Sequence, residues 1–223
     1  MGRKATVLGS SGLIGNALLN YLLADDYYSE VHVLVRRSLE NFHPKLRQHI
    51  IDFQNQEAYR EAISGSETVF CAIGTTMKKV EGNHDDYRKV DHDIPVMAAS
   101  VAAEEGVFNF ILVSSVGANA SNNNNFYLKL KGIVEESVSR KNIPQVQIFR
   151  PSLLLGDRKE KRLGERMAQV LAPVYSIFML GTARDFKPVE ATVVAKAMLA
   201  ASKQQTRGIF IHTYNSILKL AGK

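Results

Sequence analysis

The sequence lacks the features that would mark a secreted or a membrane-spanning protein. It contains a single cysteine, Cys71, so no intrachain disulfide can form, which favours the reducing environment of the cytoplasm. The longest apolar stretch, residues 168–180, is interrupted by polar residues and is too short to span a bilayer. The first residues lead directly into a predicted strand, so we expect no signal peptide. We therefore expect a cytoplasmic protein without a membrane span.

The positive charge is not organised as in nucleic-acid-binding proteins. The net charge is +6 and the sequence pI is about 9.4, which would suit an anionic cofactor or nucleic acid. Basic residues are scattered in pairs, except in residues 158–166, where Glu160 and Glu165 interrupt them. No basic helix with base-reading side chains and no aromatic-basic stacking pattern is present. We therefore expect no nucleic-acid partner.

The strongest local signal is the glycine-rich segment KATVLGSSGLIG, residues 4–15. Residues 5–8 are an apolar run typical of a buried strand, and apolar residues recur at helical spacing after the segment. Gly9, Gly12 and Gly15 separate the strand pattern from the helix pattern. In such a unit the first glycine permits a tight turn, the second lets a pyrophosphate approach, and the third lets the helix pack closely. The segment predicts a dinucleotide-binding turn at the positive end of a helix, and a glycine-rich turn without a ligand is the alternative.

Strand and helix patterns alternate along the whole chain, which predicts an α/β fold with a mainly parallel, doubly wound sheet and helices on both faces. With 45% apolar residues among 223, the chain suits one domain with a small appendage. Further strands are predicted at residues 31–35, 49–51, 68–73, 108–113, 145–149 and 208–212. Helices are predicted at residues 56–63, 85–105 with a break near Pro95, 127–140, 165–178 and 189–202, with a final helical turn.

The residues that follow the strands indicate which dinucleotide binds, because ligands of such sheets lie beyond the carboxyl ends of the strands. An acidic residue after the second strand would bind the ribose 2′-hydroxyl of NAD, but Arg36 and Arg37 stand there. A guanidinium can bind a 2′-phosphate through paired hydrogen bonds, which predicts NADP(H) rather than NAD(H). Two surface arginines that end a strand are the alternative. Asp52 is a candidate for the adenine edge or for a helix or turn cap, and Phe53 for a contact with the adenine ring.

Three residues suit proton transfer to a carbonyl. Tyr127 and Lys131 lie four residues apart on a predicted helix, so their side chains point the same way. An ammonium beside a tyrosine favours the phenolate, which a tyrosine in water forms only near pH 10. Ser115 follows the fifth strand and can hydrogen-bond the substrate oxygen. Ser114 competes for this role, and Ser115 is favoured because it directly precedes Val116-Gly117.

Two clusters have the composition of metal sites, His84-Asp85-Asp86 and Asp91-His92-Asp93. Solvated helix charges and caps are the commoner explanation, and carbonyl reduction needs no metal. We therefore expect no metal.

Together these motifs resemble those of the short-chain dehydrogenase/reductase superfamily. The resemblance rests on GSSGLIG at residues 9–15, on Ser115, Tyr127 and Lys131, and on RPSLLLGDR at residues 150–158. Over most of its length the chain is similar to the atypical, Tat-interacting-protein-like oxidoreductases and their bacterial relatives. The segments that carry this similarity are, in order, VLVRR, IIDF, AIGTT, YRKVDHD, LVSSVGA, FYLKLKG and FRPSLLLGDR.

The resemblance implies an NADP(H)-binding Rossmann domain with little or no separate substrate domain. We therefore expect a single domain, residues 1–223, in which residues 151–223 contribute a small cap on the substrate side. The resemblance also implies that Tyr127 is the proton donor or acceptor. The dinucleotide contacts that it implies are Ser11, Gly12, Leu13, Ile14, Arg36, Arg37, Ile73, Gly74, Tyr127, Lys131, Leu154 and Arg162.

The sequence thus predicts an NADPH-dependent oxidoreductase that acts on a small carbonyl compound or its alcohol. In this prediction Tyr127 transfers the proton, Lys131 favours the phenolate of Tyr127, and Ser115 positions the substrate oxygen. A non-catalytic module that senses NADP(H) and binds a protein partner is one alternative. A nucleotide-sugar epimerase or dehydratase is another alternative. The region after residue 151 is short and leaves little room for a sugar-nucleotide site, which counts against it. A monomer and a homodimer are both compatible with the sequence.

Overall fold

Seven parallel strands form one sheet in the computed structural model, which describes residues 2–156 and 186–223. The order across the sheet is β3-β2-β1-β4-β5-β6-β9, and every neighbouring pair is parallel. A short pair, β7 with β8, lies outside this sheet. The strands are β1 (Arg3–Leu8), β2 (Tyr28–Val35), β3 (Leu46–Ile50), β4 (Thr68–Cys71), β5 (Asn109–Val113), β6 (Gln145–Phe149), β7 (Leu154–Leu155), β8 (Val189–Glu190) and β9 (Gly208–His212).

Helices cover both faces of the sheet and bury a separate apolar core on each. One core includes Val33 and Phe149 and is closed by α1, α6 and α7; the other includes Leu34 and Phe110 and is closed by α2, α4 and α5. The predicted doubly wound, parallel Rossmann-type sheet is therefore confirmed. The helices are α1 (Leu13–Ala24), α2 (Gln56–Ile63), α3 (His84–Arg88), α4 (Ile94–Glu104), α5 (Phe126–Ser139), α6 (Ala191–Ser202) and α7 (Tyr214–Leu220).

The break predicted near Pro95 occurs as an interruption of the regular α-helix, although the chain stays helical from α3 through α4. A π-helical segment, Lys89–Asp93, joins the two helices. Proline has no N–H and clashes with the carbonyl four residues before it, so an ordinary helical turn cannot continue here. The Ile94 N–H instead donates to the Lys89 carbonyl, five residues back. Asp91 lies within this wider turn and is buried.

The C-terminal residues complete the main sheet. β9 pairs with β6, and α6 packs against α1 on the same face as α7. The predicted helix at residues 165–178 and the apolar stretch at residues 168–180 lie outside the described residues. Within the described ranges, no helix is long and apolar enough to cross a membrane. The substrate-side cap within residues 151–223 stays a prediction.

The strand order places a crevice between the ends of β1 and β4. These strands are neighbours, but the chain leaves β1 for α1 on one face and leaves β4 for α3 and α4 on the other. Such a topological switch point is where open α/β sheets bind their ligands. The site is therefore expected at the carboxyl ends of β1 and β4.

Candidate active site

The glycine-rich turn after β1 closes tightly against the end of β4. Gly9 has a φ of +86°, which a residue with a Cβ seldom adopts, and a Cβ there would lie 2.5 Å from the Ala72 carbonyl oxygen. A Cβ at Gly15 would lie 2.1 Å from the Gly9 carbonyl oxygen. The Gly12 N–H donates to that same carbonyl at 2.9 Å. Gly9 and Gly15 thus serve the tight turn and the close packing of the helix on the strand.

The N-terminus of α1 is open to an anion. Gly12 is the N-cap residue, and neither a capping side chain nor an acidic residue occupies the first turn. Ser11 and Gly12 are exposed, Leu13 is half-buried, and Ile14 is buried in the core. Free N–H groups and the helix dipole make such an end attractive to phosphate. Ile14 can contribute only its backbone to a ligand.

Arg36 and Arg37 extend into solvent beside this turn. Leu8 at the end of β1 pairs with Leu34 in β2, so the two arginines follow at the same edge of the sheet as Gly9. Both are exposed, and neither guanidinium has an ion pair or hydrogen bond within the described part of the chain. Unpartnered guanidiniums next to a helix N-terminus suit a phosphate group.

Asp52 forms the turn that precedes α2. Its Oδ1 accepts from the Gln54 N–H at 3.0 Å, and its carbonyl accepts from the Asn55 N–H at 3.0 Å. Phe53 is half-buried and lies edge-on to Tyr59, with ring centres 5.8 Å apart. The turn-cap interpretation therefore accounts for one carboxylate oxygen of Asp52. Contacts of Asp52 and Phe53 with adenine stay predictions.

The helix α5 presents Tyr127 and Lys131 on one side. The helix is capped by Asn125, whose Oδ1 accepts from the Leu128 N–H at 3.0 Å. Lys131 Nζ lies 5.9 Å from the centre of the Tyr127 ring. Tyr127 is half-buried, whereas the Lys131 side chain is buried. A half-buried phenol beside a buried ammonium is suited to proton transfer with an incoming ligand.

A buried carboxylate from the π-helical segment holds this lysine. Asp91 is 1% exposed, and its Oδ1 lies 3.0 Å from Lys131 Nζ. Its Oδ2 accepts from the Thr75 N–H at 2.6 Å, next to Gly74 at the exit of β4. Burial is the largest single influence on Lys131 and disfavours its charged form. The attraction and hydrogen bond of Asp91, together with the interactions with Tyr127 and Cys71, outweigh burial and raise the lysine pKa above its ordinary value. The interpretation of Asp91 as a solvated helix charge is therefore wrong.

Ser114 and Ser115 differ in how their hydroxyls are engaged. The Ser114 hydroxyl donates to Glu135 Oε1 at 2.5 Å. Arg150 binds the same buried carboxylate through Nε at 3.0 Å and through Nη2 at 2.5 Å. Within the described residues, the Ser115 hydroxyl donates only to the adjacent Val116 carbonyl, at 3.2 Å. Ser115 is thus the serine whose hydroxyl can turn to a ligand at low cost.

The segment after β6 returns to the start of α1. Leu154 is half-buried and packs against the core around α1. A Cβ at Gly156 would lie 3.1 Å from a methyl carbon of Leu13. Leu154 therefore stands on the same side of the sheet as the glycine-rich turn. Ile73 is half-buried and Gly74 exposed at the exit of β4. Arg162 lies outside the described residues.

The residues with the composition of metal sites have other partners. His84 stacks on Phe126 with ring centres 4.1 Å apart, and His92 Nδ1 lies 2.7 Å from Asp93 Oδ1. The described residues contain no group of three or more His, Cys, Asp or Glu side chains that could hold a metal. Cys71 is buried in β4, and burial raises its pKa to about 11, which suits a structural thiol.

Sequence reasoning missed Asp91 and Glu135 as members of the site. Both were hidden among other charged helix residues, yet each lies at a position of an apolar stripe. Asp91 follows the buried Tyr87 by one helical turn, and Glu135 lies between the buried residues Leu128 and Val138. A charged residue at such a position needs a buried partner, and this spacing is the signal that could have identified both.

The residues present fit a dinucleotide phosphate group. The uncapped N-terminus of α1, the positive φ of Gly9 and the two free guanidiniums converge on one edge of the sheet. The hydroxyl of Ser10 in the same turn is buried and has no hydrogen-bond partner among the described residues. A buried polar atom without a partner calls for a bound group or an ordered water.

Comparison with known proteins agrees with this geometry. The chain matches the NAD(P)H-binding family over residues 9–166. Protein HTATIP2 of Rattus norvegicus is 36% identical over 170 residues, which cover 75% of this chain and 69% of the relative. The protein FMP52, mitochondrial, of Debaryomyces hansenii is 33% identical over 211 residues, which cover 92% and 90%.

The fold is also similar to that of solved structures. The structure of MoeE5 in complex with UDP-glucose and NAD superposes with a TM-score of 0.68 at 14% identity, over 98% of this chain and 81% of that one. At this identity the likeness concerns the fold. The match over residues 9–166, with the two relatives above 30% identity, shows that the chain belongs to the NAD(P)H-binding family.

Proposed function

We propose that the protein is an NADP(H)-dependent oxidoreductase that interconverts a small carbonyl compound and its alcohol. The observation that carries the proposal is the Lys131 ammonium, held 5.9 Å from the Tyr127 ring at the edge of the sheet where the glycine-rich turn opens. An oxidoreductase needs a dinucleotide site and a proton donor beside it. The residues that we propose for the dinucleotide site and for the proton donor lie at this edge of the sheet.

The chain's residues would hold the cofactor along the switch point between β1 and β4. When bound, NADP(H) supplies or accepts the hydride. The free backbone N–H groups of Leu13 and Ile14, in the first turn of α1, would bind the pyrophosphate, and Arg36 and Arg37 would bind the 2′-phosphate. Gly74 has no side chain, so backbone and ligand can approach closely there. The other contacts that we propose are Ser11, Gly12, Ile73, Asp52, Phe53, Leu154 and Arg162.

Tyr127 is the proposed proton donor or acceptor, through its phenolic oxygen. The fixed ammonium of Lys131 stabilises the phenolate that forms when the proton leaves. Because Asp91 raises the pKa of Lys131, the lysine keeps its proton at neutral pH and acts as a charge rather than as a base. The Ser115 hydroxyl is proposed to donate to the substrate oxygen and hold it near Tyr127.

The surroundings of Tyr127 favour a substrate with an apolar part. Tyr127 packs with Leu128, Leu153 and Phe186 in a small apolar cluster. Leu153 and Phe186 belong to residues 151–223, which supports the proposal that this region forms the substrate side. An apolar wall beside the proton donor suits the carbon skeleton of a carbonyl compound, whose oxygen would face Ser115 and Tyr127.

The variant Tyr127→Phe tests the proposed chemistry. It should abolish turnover of carbonyl compounds with NADPH while NADPH binding survives, because only the phenolic oxygen is removed. Tyr214→Phe, which removes the hydroxyl of a half-buried tyrosine in α7, is the matched control. Unchanged turnover in Tyr127→Phe would refute the assignment. Tight cofactor binding by the wild type without turnover across a broad carbonyl panel would support the non-catalytic module instead.

Titration with both dinucleotides tests the proposed cofactor. NADPH should bind more tightly than NADH, and Arg36→Ala/Arg37→Ala should remove the difference, with the exposed Arg207→Ala as control. Equal or tighter binding of NADH by the wild type would contradict the proposal. We also propose a cytoplasmic location, which the single, buried Cys71 supports.

A further inference from the structure

The loop that carries Arg36 and Arg37 makes few backbone contacts of its own. It joins β2 to β3, and the two arginines stand at its start. Within the described part of the chain, no backbone group of residues 38–42 forms a hydrogen bond with another backbone group. Phe42 is 92% exposed and does not anchor the loop. Such a loop would sample many conformations unless side chains held it, and ordering it on binding carries an entropy cost.

One side chain on the edge strand β3, that of Gln48, supplies the missing hydrogen bonds. Its Oε1 accepts from the Leu39 N–H at 2.8 Å and from the Ser38 hydroxyl at 3.4 Å. Its Nε2 donates to the carbonyl oxygens of Leu39 and Asn41, each at 3.1 Å. The amide therefore uses both donors and both acceptor positions on this one loop. Leu39 also packs against the apolar core around α1, so the loop is held by a polar and an apolar contact.

We propose that Gln48 is a positioning residue that fixes the loop of Arg36 and Arg37 and thereby sets the preference for NADP(H) over NAD(H). The inference rests on the proposed function, in which the two guanidiniums bind the 2′-phosphate. The clamped residue Leu39 lies two positions after Arg37, so the clamp restricts the backbone from which both guanidiniums extend. A pre-ordered loop loses less entropy when it binds the phosphate. NAD(H) has no 2′-phosphate and gains nothing from this order.

Calorimetric titration of the full chain with NADP⁺, NAD⁺, 2′,5′-ADP and ADP tests the inference. Gln48→Met keeps the length of the side chain and removes its hydrogen bonds. We expect this variant to lower the affinities for NADP⁺ and 2′,5′-ADP by roughly ten-fold. The affinities for NAD⁺ and ADP should stay within about two-fold of the wild-type values. Gln204→Met, at an exposed glutamine after α6, is the matched control and should change none of the four affinities.

Three outcomes of the titration would overturn the inference. Gln48→Met could leave the affinities for NADP⁺ and NAD⁺ both unchanged, or weaken both equally, and either result would show that the clamp does not set selectivity. If Arg36→Ala/Arg37→Ala removes the preference while Gln48→Met keeps it, only the clamp is wrong and the proposed cofactor stands. A wild type without preference for NADP⁺ would overturn the inference and the proposed cofactor together.

Hydrogen exchange gives a second readout that does not depend on ligand affinity. The Leu39 amide should exchange faster in Gln48→Met than in the wild type, while the amide of Val33, which pairs with residue 48 inside the sheet, should stay protected. Equal exchange at Leu39 in both proteins would refute the clamp. Loss of protection at Val33 would show general unfolding of the edge and would also refute a local role.

Discussion

The pair of Asp91 and Lys131 allows a quantitative prediction. Asp91→Asn removes one negative charge and keeps the shape of the side chain. In the native protein Lys131 Nζ lies 3.0 Å from Asp91 Oδ1, and the two side chains are 7% and 1% exposed. The variant therefore leaves a buried ammonium without its counter-charge.

The expected loss of stability follows from this distance and burial. At an effective dielectric constant of about 20, two unit charges 3.0 Å apart attract by about 5.5 kcal/mol. Removing one partner of a buried ion pair typically costs about 3–5 kcal/mol, since the remaining charge stays desolvated. We expect Asp91→Asn to lower the free energy of unfolding at pH 7, relative to the wild type, by an amount within this range.

The loss should depend on pH in a defined direction. Without the charge of Asp91, burial is the largest remaining influence on Lys131 and should lower the lysine pKa below its unfolded value. The neutral amine is then favoured in the folded state. The penalty is therefore greatest at neutral pH, where the unfolded lysine is charged, and it shrinks as the pH rises toward about 10.

Urea unfolding at pH 7 and pH 9.5 measures both effects. The double variant Asp91→Asn/Lys131→Met, which has no buried charge at the site, should recover most of the stability lost by Asp91→Asn. Lys131→Met alone completes the double-mutant cycle with Asp91→Asn. Stability of Asp91→Asn within about 1 kcal/mol of wild type at pH 7, or no recovery in the double variant, would refute the electrostatic reasoning.

Two further predictions concern stability away from the proton donor. Burial and the charge of Lys4 lower the pKa of His32 to about 4, so the free energy of unfolding should fall by about 1–2 kcal/mol between pH 6.5 and 4, as the unfolded histidine takes up a proton. His32→Asn should flatten this part of the profile, and an unchanged slope would contradict the prediction. Gly15→Ala should lower the free energy of unfolding, measured in urea, by about 1–3 kcal/mol and weaken NADPH binding, because the new Cβ would lie 2.1 Å from the Gly9 carbonyl oxygen. Exposed Asn16→Ala is the control, and equal stability of the two variants would argue against the contact.

Most of the fold could be predicted because its determinants are local. The buried strands β4 and β5 contain continuous apolar runs, and β6, β9 and α2 have the predicted bounds. The short strands β7 and β8 are not predicted, and β8 takes the first two residues of the helix predicted at residues 189–202. In the main sheet, β3 departs from the prediction at both ends: it is predicted at residues 49–51 and is observed at Leu46–Ile50. β3 is an edge strand with a mostly exposed or half-buried pattern, so its sequence has little apolar signal.

The site could be predicted only where its residues are close in sequence. The spacing of Tyr127 and Lys131 and the glycine-rich turn are local patterns. The partner of Lys131 is forty residues earlier in the chain, and its position depends on the π-helical turn before Pro95. No propensity distinguishes a buried Asp91 from a solvated one; only its place on an apolar stripe does.

The two buried ion pairs on α5 are best explained by placement rather than by stability. Lys131 reaches the exit of β4 through Asp91, and Glu135, one turn later, reaches the exits of β5 and β6 through Ser114 and Arg150. Buried ion pairs are often no more stabilising than apolar residues of the same volume. Their directional contacts, however, tie one helix to three strand ends, and slippage of α5 along the sheet would break both pairs. We infer that this fixes the position of Tyr127 over the crevice. An apolar double replacement of Asp91 and Lys131 should therefore keep the fold and lose the chemistry.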